Sequence, residues 1–119
     1  MENMDYVVIK NYRAEFLDPI ILKQGEKILI GDEIDLEYGP NWAFCKKIDG
    51  SNSGWVPKQI IQYEGDYGII IEDYTAKELT IDEGTIVEGI KELNGWLWLK
   101  NKNTNEIGWV PMENLKKLY

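Results

Sequence analysis

The side chains able to do chemistry in this chain are carboxylates and aromatic rings. It carries 21 Asp and Glu, 5 Trp and 7 Tyr, against no His and a single Cys, Cys45. The commonest general base and the commonest metal ligand are therefore both absent. A zinc site would have to rest on carboxylates alone, which does not suit that metal. Oxygen ligands for calcium stand together in Asp32-Glu33-Ile34-Asp35, but without EF-hand spacing. Paired carboxylates are the one route to catalysis, as in glycoside hydrolysis, and small domains offer little cleft to house it. What remains is recognition, with rings to stack and carboxylates to meet cations. No catalytic residue, metal or cofactor is expected.

Charge narrows the partner. Lys and Arg number 13, so the net charge is -8. A nucleic-acid binder carries a basic stripe, and none is visible; the field repels phosphate and anionic membrane and attracts cationic partners. A basic protein segment or peptide is the favoured ligand class. The opening Met-Glu-Asn-Met-Asp-Tyr lacks the basic and apolar segments of a secretory signal. No apolar run approaches the ~20 residues that span a bilayer. The expectation is a soluble, cytoplasmic protein, and the Lys- and Ile-rich usage fits a low-GC bacterium. One cysteine permits no intrachain disulfide.

The elements that must position these groups are organised by a repeat. Trp42 and Gly54-Trp55-Val56-Pro57 recur as Trp96 and Gly108-Trp109-Val110-Pro111, both at an offset of 54. Upstream, Val8-Ile9-Lys10-Asn11-Tyr12-Arg13-Ala14 parallels Ile70-Ile71-Glu72-Asp73-Tyr74-Thr75-Ala76 at an offset of 62. The eight extra residues of the first copy fall on either side of Gly25, whose counterpart is Gly84, and length changes of that kind belong in loops. The copies span 5–62 and 67–118. The joint Tyr63-Glu64-Gly65-Asp66 is too short for a flexible tether, so the copies are expected to form two domains that pack on each other; a homodimer is left open.

Each copy reads as short strands. Tyr6-Val7-Val8-Ile9, Gly68-Ile69-Ile70-Ile71 and Lys27-Ile28-Leu29-Ile30 are rich in β-branched residues, and Thr85-Ile86-Val87 follows a turn glycine. Trp42-Ala43-Phe44-Cys45-Lys46 and Trp96-Leu97-Trp98-Leu99-Lys100 precede turn-rich segments at 49–52 and 101–105. After Pro57 and Pro111 the chain can make one 3-10 turn. Five strands and one such turn per copy give an all-β chain of two small five-stranded barrels.

In that order, and twice, the segments resemble the SH3 domain family. The family's Ala-Leu-Tyr-Asp-Tyr opening is similar to Val8-Ile9-Lys10-Asn11-Tyr12 and Ile70-Ile71-Glu72-Asp73-Tyr74. Its Leu-Ser-Phe-Lys-Lys-Gly stretch is similar to Leu79-Thr80-Ile81-Asp82-Glu83-Gly84, and its Gly-Tyr-Ile-Pro-Ser-Asn-Tyr ending to 54–60 and 108–114. The resemblance implies tandem SH3-like barrels that bind extended, proline-containing or basic peptides in shallow aromatic grooves. It carries the groove onto Tyr12, Trp42 and Pro57 in one copy and Tyr74, Trp96 and Pro111 in the other. Acidic loop residues Glu15 and Asp18, and Glu78 in the second copy, would meet the ligand's cation. Two groove tyrosines of the family are replaced, by Lys10 and Glu72 and by Ile60 and Asn114.

Alternation along the strands sends Ala43, Cys45, Leu97 and Leu99 into the core, with Cys45 as an inert thiol. It sends Trp42 with Phe44, and Trp96 with Trp98, to the other face. Phe44 and Trp98 are large for that face, and Phe44 or Trp98 is expected to lie under an inter-domain or dimer contact; the alternative is that each lies along its own sheet. Trp55 and Trp109 are expected at sheet edges, and Tyr12 and Tyr74 either meet ligand or pack at the rim. Two other functions fit the pattern: an assembly unit whose grooves are occluded, and a bacterial SH3-like binder of cell-wall peptides.

Overall fold

The computed structural model describes residues 4–15, 18–31 and 41–118. Their regular structure is all β, as expected. In chain order it comprises β1 (Met4–Val8), β2 (Ile21–Leu22), β3 (Lys27–Ile30), β4 (Trp42–Lys47), β5 (Ser53–Pro57), a 3-10 turn at Lys58–Ile60, β6 (Ile61–Glu64) and β7 (Tyr67–Ile70). There follow β8 (Tyr74–Thr75), β9 (Ile86–Leu93), β10 (Trp96–Asn101), β11 (Ile107–Pro111), a second 3-10 turn at Met112–Asn114, and β12 (Leu115–Lys117). Both 3-10 turns begin directly after a proline, where the missing N–H has no intrahelical partner to lose. No helix among the described residues is long and apolar enough to cross a membrane.

Among the described residues these form two five-stranded sheets and one two-stranded sheet, none closed on itself. The order β5-β4-β3-β7-β6 in one large sheet is matched by β11-β10-β9-β1-β12 in the other. The register matches too. Trp42 faces Pro57 and Phe44 faces Trp55 across β4 and β5; Trp96 faces Pro111 and Trp98 faces Trp109 across β10 and β11.

The chain divides into two compact units, one at Asp18–Ala76 and the other built from Met1–Leu17 with Lys77–Tyr119. These differ from the contiguous spans 5–62 and 67–118 that the repeat suggested. Each copy's opening strand belongs to the unit formed by the other copy: β1 pairs with β9 and β12, and β7 with β3 and β6. The physical reason lies in the joint. Glu64 pairs with Tyr67, so Gly65 and Asp66 form a two-residue hairpin turn, with Gly65 at φ 75°. A connection that short folds the chain back on itself. It delivers β7 to the place beside β6, and β1 occupies the matching place beside β12.

Each unit has its own apolar centre. In the 18–76 unit, Ile20, Leu22, Ile28, Ala43, Cys45, Val56, Ile60, Ile61 and Ile70 pack together. In the other, Val8, Leu79, Ile81, Val87, Leu97, Leu99, Val110 and Leu115 do so. The period-2 reading of β4 and β10 holds, since Ala43, Cys45, Leu97 and Leu99 all point inward.

Candidate functional site

In the unit that contains both chain ends, Tyr12 is fixed by a pair of main-chain bonds. Its N–H donates to the Ile81 carbonyl and its carbonyl accepts from the Ile81 N–H, each at 2.9 Å. This holds the ring edge-on to Trp96, with centroids 5.9 Å apart and planes at 83°. An edge-to-face pair of this kind is a favourable arrangement of ring quadrupoles. Trp96, opposite Pro111, starts β10, and Pro111 ends β11 ahead of the 3-10 turn. Tyr12, Trp96 and Pro111 are all half-buried, so each keeps surface available to a ligand.

A carboxylate stands beside this ledge. The Tyr12 hydroxyl donates to Glu78 Oε1 at 2.6 Å, and the Glu15 N–H donates to the same oxygen at 3.0 Å. Glu78 itself is positioned by the edge strand β11: the Trp109 N–H donates to the Lys77 carbonyl, and the Leu79 N–H donates to the Trp109 carbonyl. Arg13 lies on the same segment, paired with Asp82 at 2.8 Å; both side chains are exposed, so the pair adds little stability.

The predicted groove residues are thus regrouped. Tyr12 shares a unit with Trp96 and Pro111, and with Glu15 and Glu78. Trp42 and Pro57 lie in the 18–76 unit with Tyr74 and Asp18. The expected sets of Tyr12 with Trp42, and of Tyr74 with Trp96, are corrected by the exchange of β1 and β7. In the 18–76 unit, β8 places Tyr74 opposite Leu22, and its hydroxyl donates to the Trp55 carbonyl at 3.2 Å. Trp42 is only 8% exposed and Pro57 fully buried. Asp18 is exposed, and its carbonyl accepts from Asn52 Nδ2 at 3.2 Å.

The two replaced groove tyrosines have become structural. Ile60 belongs to the core of its unit. Asn114, 3% exposed, donates from Nδ2 to the carbonyls of Lys10 and Asn11, both at 3.1 Å. It therefore fastens the segment that carries Tyr12. A polar residue at the last position of the 3-10 turn, where the other copy has Ile, was the sequence signal for this role.

Phe44 and Trp98 are half-buried, and each meets the tryptophan opposite it in its own sheet. Phe44 lies edge-on to Trp55 at 5.2 Å, and Trp98 tilts against Trp109 at 5.2 Å. This supports the alternative reading, in which each ring lies along its own sheet. Trp55 and Trp109 sit on β5 and β11, the edge strands, as expected. Burial pushes the Cys45 thiol up to about 12, and its Sγ rests 3.6 Å from the Ala43 carbonyl, so it is no nucleophile. The acidic run Asp32-Glu33-Ile34-Asp35 lies outside the described residues. In comparison with known proteins, no family model matches the chain and no curated protein matches it significantly.

Proposed function

We propose that this chain is a non-enzymatic, cytoplasmic binding protein of two SH3-like barrels, recognising an extended basic segment of a protein partner. The site is the Tyr12–Trp96–Pro111 ledge, with Glu78 and Glu15 receiving the partner's Lys or Arg. One observation carries the reading: two rings at right angles, each with surface left open, directly beside a carboxylate positioned by main-chain bonds. Extended peptides present flat ridges that such rings can hold with little entropy to lose. The overall charge of -8 adds attraction at long range.

The corresponding place in the 18–76 unit supports a different role. With Trp42 and Pro57 buried, that ledge is closed, and we assign this unit a structural part. One unit binds and the other supports.

The test is an amide NMR titration with basic peptides, some containing Pro-x-x-Pro and some not. Shifts should cluster on the Trp96 indole and the Tyr12 and Glu78 amides, and leave Trp42 unmoved. E78Q keeps the acceptor for Tyr12 but removes the charge; it should weaken binding about threefold to tenfold and flatten its salt dependence. Shifts absent at millimolar peptide, or centred on Trp42, would sink the proposal.

A further inference from the structure

The two opening strands occupy equivalent seats. Val8 donates to the Thr85 carbonyl at 2.9 Å and accepts from the Gly84 N–H at 2.7 Å; Ile70 donates to the Glu26 carbonyl at 2.9 Å and accepts from the Gly25 N–H at 2.7 Å. Ile9 donates to the Asn114 carbonyl, and Ile71 to the Ile60 carbonyl. Asn11 Oδ1 accepts from the Glu83 N–H, and Asp73 Oδ1 from the Gln24 N–H. Main-chain bonding therefore does not distinguish one opening strand from the other.

Side-chain volume does. Tyr6 faces Val87 in register, as Gly68 faces Ile28, so Tyr6 and Gly68 are counterparts. Gly89 faces Leu99, as Ile30 faces Cys45, so Gly89 and Ile30 are counterparts. In the unit holding both chain ends, the Tyr6 ring lies over Gly89: a Cβ on Gly89 would come within 2.8 Å of Tyr6 Cε1 and 3.0 Å of Leu97 Cδ2. In the 18–76 unit the sizes are reversed. A Cβ on Gly68 would lie 2.6 Å from Ile61 Cγ2, closer than carbon atoms tolerate, and 3.3 Å from Ile30 Cδ1, a contact that makes Ile30 give way. Tyr6 could not enter that seat without displacing the core, and Gly68 beside Gly89 would leave the space of a ring unfilled.

We infer that this reciprocal size pair, Tyr6 with Gly89 and Gly68 with Ile30, addresses each opening strand to the unit made by the other sequence copy, within a single chain. The two-residue turn at Gly65-Asp66 favours the same exchange, so a test has to separate the two devices.

Cysteine pairs report the arrangement, because residues directly opposite in antiparallel strands lie about 4.5–5.5 Å apart, within disulfide reach. Val7 faces Lys116 and Ile69 faces Gln62. In the full chain, V7C/K116C and I69C/Q62C should close within one molecule under mild oxidation, and V7C/Q62C and I69C/K116C should not. Cys45 is buried and does not compete. A flexible insert of about eight Gly and Ser residues between Gly65 and Asp66 relaxes the turn, and the same pairs should still close. Adding Y6G and G68Y to the extended chain should shift closure to V7C/Q62C by at least about tenfold, and further adding I30G and G89I should return it. Closure of V7C/Q62C in the parent or extended chain overturns the inference. So does failure of Y6G/G68Y to shift closure in a folded protein, or disulfides that join two chains. If the multiple variants do not fold, the parent and extended chains still decide it.

Discussion

Asn114→Ala removes a side chain that holds the Tyr12 segment in place. Its Nδ2 makes two hydrogen bonds of 3.1 Å, to the carbonyls of Lys10 and Asn11, from a position only 3% exposed. Each such bond contributes about 1 kcal/mol net, and a carbonyl left short of a donor adds to the loss. With the small void left by the amide, the cost should be about 2–3 kcal/mol. For a domain of this size that lowers the thermal midpoint by roughly 10–20 °C. Tryptophan fluorescence through urea and thermal unfolding would measure it. Asn114→Asp sharpens the test, because a carboxylate would then face two carbonyl oxygens. Its folded pKa should rise above the unfolded value near 3.9, so the charge penalty is full at neutral pH and shrinks as the pH falls through the folded pKa. N114D should therefore recover stability relative to N114A on acidification. A loss below about 0.5 kcal/mol for N114A, or no acid recovery in N114D, would refute the assignment of Asn114 as the fastening residue.

Trp98→Ala should cost about 1–3 kcal/mol, from the lost cross-strand ring pair and its burial, with no change in sedimentation. Unchanged stability with altered self-association would mean the ring serves an interface instead. Cys45 should resist maleimide in the folded protein and react only at the rate of unfolding. Its thiol pKa is raised from 9.0 to about 12, so its contribution to stability is intact below pH 9 and is lost as the pH rises from there toward 12. C45A should show a shallower decline over that window in alkaline denaturation.

Much of the strand pattern was legible because it depends on local periodicity. The inward Ala43, Cys45, Leu97 and Leu99, the turn after each Gly-Trp-Val-Pro word, and the edge positions of Trp55 and Trp109 all follow from alternation and turn chemistry. Strand partnership was not legible in the same way. Val8 and Ile70 make matching bonds in matching seats, so similarity between the copies carries no information about which seat each strand takes. The joint Tyr63-Glu64-Gly65-Asp66 lies between the copies and so suggests a connection between domains, but its Gly65-Asp66 already has the length of a hairpin turn. Tyr6 against Gly68, and Ile30 against Gly89, differ in size between otherwise similar copies, and that difference gains meaning only once the pairing is known. The rings and carboxylates of the site were individually visible, and Glu78 already fell in the same copy as Trp96, but grouping Tyr12 and Glu15 with them required the exchanged pairing.

The exchange also gives the two units different schedules during synthesis. All strands of the 18–76 unit lie in one stretch and can pair once Thr75 has emerged. β1 is made earliest, yet its partners β9 and β12 follow that entire unit in the chain. At ~5–20 residues per second, it waits on the order of ten seconds before its first partner appears. During part of that interval β7 has not been made, and the seat beside β3 and β6 is the nearest in sequence. Tyr6 does not fit there without displacing Ile61, because even a Cβ at the Gly68 position would come within 2.6 Å of it. The bulk of one tyrosine thus acts on the nascent chain as a gatekeeper, keeping an early strand out of the first seat on offer until the second is built.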